Sequence, residues 1–88
     1  MDSFNNILKE IFDLPGEVML DLPLIMMVGQ EEFYLENHKG IALYQTDLIK
    51  IRVKLGFLVI VGADLNIRNI KSHTLQVTGK IDEISYEK

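Results

Sequence analysis

The chain has 88 residues, a net charge of −4 and no cysteine. Disulfide staples, thiolate metal sites and a cysteine nucleophile are thereby excluded, and a reducing compartment is favoured. A hydrophobic content of 48% suffices for one core, so residues 1–88 are expected to form a single domain of modest stability.

The charge is uneven along the chain. Residues 1–36 carry one basic and eight acidic side chains, whereas residues 37–80 carry seven basic and two acidic ones. Opposite charges of this kind either pair within the fold or polarise the domain toward a partner or a second copy. The first ten positions hold two acids and one lysine. They lack a basic segment followed by an apolar one, so no signal peptide is expected. The most apolar window, residues 18–28, is interrupted by Asp21 and Pro23, whereas a membrane span needs about twenty apolar residues. A soluble protein without a membrane span is expected.

Residues 3–12 predict a short helix, within a helical N-terminal extension over 1–13. Ser3 is a suitable N-cap, and Phe4, Ile7, Leu8 and Ile11 form one apolar stripe. Pro15-Gly16 ends it. So short a helix must dock, either on its own domain or on a partner. From Glu17 the pattern becomes that of strands. Val18–Leu20 is short. Pro23 marks a strand start or a sheet edge. Leu24–Val28 is a continuous apolar run, followed by a strand-like run over 31–36.

Asn37-His38-Lys39-Gly40 then reads as an exposed hairpin turn into 41–46. Asn37 and Gly40 tolerate positive φ, and His38 in such a turn is expected to tolerate alanine. Next, Ile49, Ile51, Val53 and Leu55 alternate with Lys50, Arg52 and Lys54. That period of two predicts one buried and one solvated face. Phe57–Val61 is apolar throughout, as in a central strand covered on both faces. Turns at Gly62 and Gly79 divide the remainder into short strands at 65–67, 75–77 and 81–86.

The fold class is therefore all-β. About seven to nine short strands with closely spaced turns predict a small immunoglobulin-like β-sandwich. A short β-solenoid or roll is the alternative, since Gly62 and Gly79 each follow an apolar strand.

No catalytic constellation is visible. His38 and His73 lack a supporting ligand cluster, so no metal site is expected. The serines lie outside any nucleophile elbow. Glu31 and Glu32 point to opposite faces if they sit on a strand. The glycines are scattered singly, so no phosphate loop exists. Neither an enzyme nor a cofactor is expected. The stripe Lys50, Arg52 and Lys54 is short and lacks stacking aromatics, unlike a nucleic-acid footprint. It suits a solvated strand face or an acidic partner. Met26-Met27 suits core packing or an adaptable interface.

Several ordered motifs carry a family resemblance. They are Leu14-Pro15-Gly16-Glu17-Val18, Asp21-Leu22-Pro23, Val28-Gly29-Gln30, Leu35-Glu36-Asn37-His38-Lys39-Gly40, the Gly62 turn with Leu65 and Ile67, and Thr78-Gly79-Lys80-Ile81. Together they resemble the YabP/YqfC family of sporulation proteins, nearest its YqfC branch. Leu24 stands where that pattern often has a basic residue, and Ser72-His73 where it often has acids. The resemblance implies a non-enzymatic role in endospore formation in the mother cell of a spore-forming Firmicute. It implies a cytoplasmic factor, peripheral at the forespore membrane, with a YqfD-like membrane protein as partner. A self-assembling spore layer, and hence a homo-oligomer, is the alternative. Candidate protein-binding residues are Leu24, Ile25, Met26, Met27, His38, Lys39, Lys50, Arg52 and Lys54.

Overall fold

The computed structural model of the protein describes residues 21–88. The expected helix over 3–12 and strand over 18–20 lie outside the described residues. Within them the chain forms six strands and no helix. These are β1 (Leu24–Val28), β2 (Glu32–Glu36), β3 (Ile41–Tyr44), β4 (Leu48–Val53), β5 (Gly56–Arg68) and β6 (Thr74–Glu87). They build one sheet of order β1-β2-β6-β5-β4-β3, every neighbouring pair antiparallel. A solenoid would pair its coils in parallel, and no such pairing occurs among the described residues.

The strands are fewer and longer than the spacing of glycines suggests. Gly62 and Gly79 lie inside β5 and β6, at irregularities in the β5–β6 ladder rather than at chain reversals. At both positions the two backbones touch. A Cβ on Gly62 would collide with the Lys80 carbonyl oxygen, and one on Gly79 with that of Asp64. Close approach, not a turn, is what requires glycine there. The extra residues bend the two long strands.

The segment 37–40 is not a hairpin. β2 pairs with β1 and β6, and β3 pairs with β4, so the segment crosses between distant strands. The Lys39 N–H already donates to the Arg52 carbonyl at 2.7 Å. From Glu36 the chain has only three peptide links, about 10–11 Å, in which to reach the line of β3. A flat sheet would place β2 and β3 four spacings apart, about 19 Å. The sheet therefore folds over on itself. Across the fold the Tyr44 hydroxyl accepts a hydrogen bond from the Ile67 N–H at 3.0 Å.

The strands thus form one bent sheet. Inside the bend lies a single core: Phe33 and Leu35 of β2, Leu75 and Val77 of β6, Ile49, Ile51 and Val53 of β4, and Leu58 and Ile60 of β5. The alternation at 49, 51 and 53 buries those side chains as expected, but Leu55 is 83% exposed. Val53 pairs with Gly56, so Leu55 falls in the two-residue turn where the alternation has ended. In the following strand Leu58, Val59 and Ile60 are buried, whereas Val61 is exposed.

Candidate functional site

β1 begins directly after Pro23 and lies at one edge of the sheet. It reads Leu-Ile-Met-Met-Val, without a charge, a proline or a glycine. Its register with β2 is unbroken over five pairs, from Leu24–Glu36 to Val28–Glu32. Among the described residues no strand pairs with its outer side. Ile25 and Met27 stand opposite Leu35 and Phe33, on the core face, and Ile25 packs against the core. Leu24, Met26 and Val28 stand opposite Glu36, Tyr34 and Glu32, on the outer face. Met27 and Val28 are exposed.

The opposite edge is guarded. β3 has four residues and a register shift between Ile41 and Leu43. A bulge on a short edge strand resists strand addition. β1 carries no such device.

The outer face beside β1 is polar and interlocked. The Tyr34 hydroxyl donates to Glu32 Oε2 at 2.6 Å. Gln76 Nε2 donates to the same carboxylate and to the Tyr34 hydroxyl, and Asn69 Nδ2 donates to Gln76 Oε1. The bond to Glu32 raises the Tyr34 phenol above its usual value, because it holds the proton. An open depression of about 680 Å³ borders this row, lined by Glu31, Glu32, Asp64, Gln76, Thr78 and Lys80 among others. No grouping of three or more histidine or carboxylate residues suited to a metal occurs among the described residues.

The other sequence candidates lie elsewhere. His38 is 7% exposed and belongs to the crossover. Its Nδ1 accepts from the Gly40 N–H at 3.1 Å. That leaves Nε2 to donate to the Lys71 carbonyl at 2.9 Å. The Asn37 N–H donates to the His73 carbonyl, and Asn37 Nδ2 to the Leu22 carbonyl. Asn37 and Gly40 both have positive φ, as their residue types predict. Lys39 pairs with Asp21 at 3.0 Å. This bond, then the lysine's charge, lowers the Asp21 carboxyl below its usual value.

Lys50 and Arg52 project from the outer face of β4, and both are engaged. Lys50 pairs with Glu87 of β6 at 3.2 Å. The Arg52 guanidinium lies 5.6 Å from the centre of the Phe57 ring. Lys54 is exposed in the β4–β5 turn. The nine candidates therefore fall on the β1 edge, on the crossover and on the outer face of β4 with its turn, the last two adjoining where the Lys39 N–H bonds to the Arg52 carbonyl. Sequence reasoning did not separate them, because strand order is a long-range property. It placed Leu55 on the buried face and passed over Leu22 and Ile70, although all three are exposed, since each reads locally as an ordinary aliphatic.

Residues 22–88 match the YabP family. The chain belongs to that family. It is 34% identical over 79 residues to the uncharacterized protein YqfC of Bacillus subtilis (strain 168), an alignment covering 90% of this chain and 85% of that protein. No solved structure matches the chain. In this YabP-family protein the motif Asn37-His38-Lys39-Gly40 forms the crossover that folds the sheet. Among the described residues no helix is long and apolar enough to cross a membrane.

Proposed function

We propose that this protein is a non-enzymatic sporulation factor of the mother cell, a cytoplasmic adaptor that captures a membrane-anchored partner of the YqfD type. The contact is strand addition at β1. One observation carries the reading: β1 is an apolar, uncharged, regular edge strand, whereas the other edge is short and bulged. Strand addition draws affinity from main-chain hydrogen bonds and specificity from alternate side chains. Here those side chains would be Met27 on one face and Leu24, Met26 and Val28 on the other. Lys54, at the exposed turn, would mainly tune encounter rate and salt dependence.

The family resemblance supports the sporulation role and the identity of the partner. In a spore-forming host, deletion of the gene should lower spore yield. The wild-type chain should restore it, and Val28→Lys should not, although that variant accumulates to normal levels. Full rescue by Val28→Lys would remove β1 from the function. A second reading, self-assembly into a spore layer, draws on the same exposed edge. It requires the purified chain to polymerise in dilute buffer without any partner.

A further inference from the structure

The crossover gathers three chain segments at one end of the molecule. Asn37 Nδ2 holds the Leu22 carbonyl at 2.7 Å. His38 Nε2 holds the Lys71 carbonyl, and the Asn37 N–H that of His73. The Lys39 N–H bonds to Arg52, two residues before the β4–β5 turn. The Lys39 ammonium in turn pairs with Asp21, directly before Leu22. The segment before β1, the β5–β6 loop and the β4–β5 turn therefore share one end.

Each of these segments exposes one large aliphatic side chain. Leu22 is 43% exposed, Ile70 56% and Leu55 83%. Two have a lysine beside them in sequence, Lys54 and Lys71, and Lys39 stands between the segments. Neither Lys54 nor Lys71 is held in an ion pair among the described residues. The acids nearby are engaged: Asp21 with Lys39, Glu87 with Lys50, and Glu36 in a half-buried position with a partner of its own.

Leu55 is the informative member. Its φ is +73°, in the left-handed region that a leucine occupies only at a cost. That cost is not compensated by packing, since the side chain is exposed. Glycine or asparagine would close the same turn more easily. Neither the turn nor the core calls for a leucine at this position.

We propose that this end of the protein seats on an anionic lipid bilayer. Leu55, Ile70 and Leu22 would enter the interfacial layer, while Lys54 and Lys71 reach the headgroups. Single aliphatics on separate loop tips, interleaved with lysines, suit a deformable apolar layer beneath negative charge. The opposite end, with Glu31, Asp47 and Asp64, would face away from the membrane. This surface is independent of the β1 edge and of any protein partner.

The chain has no tryptophan, so one introduced at a tip reports that site alone. Full-length Leu55→Trp and Ile70→Trp should each shift emission to the blue on vesicles of phosphatidylglycerol with phosphatidylcholine, but not on phosphatidylcholine alone. Lys54→Gln and Lys71→Gln should each weaken flotation with the anionic vesicles about fivefold. Circular dichroism of the four variants identifies any that misfold. Flotation of the wild-type chain with unchanged emission at both tips would place membrane contact elsewhere and overturn the assignment. So would equal flotation with neutral vesicles. An emission shift that follows protein concentration without lipid would instead make this end a contact between copies.

Discussion

His38 holds the crossover at two points, by accepting from the Gly40 N–H and donating to the Lys71 carbonyl. Removing the ring leaves two shielded backbone groups without those partners. His38→Ala should therefore destabilise the fold by about 1–3 kcal/mol, measured by urea denaturation, although a histidine in an exposed turn would tolerate the change. An unchanged midpoint would return His38 to the surface role. Leu55 gives the opposite sign. Leu55→Gly relieves a left-handed leucine and should stabilise by about 1 kcal/mol, while removing the apolar tip proposed to meet lipid. The Asp21–Lys39 pair gives a pH dependence. Its folded carboxyl titrates below 3.8, so the contribution is present above that unfolded value. It is lost as pH falls through the lowered folded value. In an NMR titration, Lys39→Ala should bring Asp21 back up toward its ordinary range.

At the scale of elements, alternation at Ile49, Ile51 and Val53 identified a buried face, and the structure buries all three. Ile51→Ala should cost about 2–4 kcal/mol, and a thermal midpoint equal to wild type would refute that assignment. Such patterns are legible because a strand's two faces are fixed by local geometry. Edge position was half legible, since Pro23 marked β1. What local pattern could not supply was the meaning of a glycine. Gly62 and Gly79 look like turns but allow β5 and β6 to touch. Likewise Asn37–Gly40 has the composition of a hairpin, because a crossover needs the same positive φ values. The partners of β2 and β3 decide between the two: Glu36 pairs with Thr74, 38 residues on, and Ile41 with Ile51, 10 residues on.

At the scale of the molecule, the bend makes a core from one sheet and leaves two dissimilar edges. β3 is bulged and β1 is regular. The nine sequence candidates are spread over three places because charge and apolarity mark exposure, not adjacency. Only their β1 members form the proposed edge, and Val28 completes it. The most direct test of the account is titration of the purified chain with the soluble part of the proposed YqfD-like membrane partner, followed by calorimetry. The wild-type chain should bind. Val28→Lys places a charge on an exposed position, which should alter stability by no more than about 0.5 kcal/mol, yet it should abolish strand addition and hence binding. Equal affinity for the two proteins would contradict the β1 edge as the functional surface.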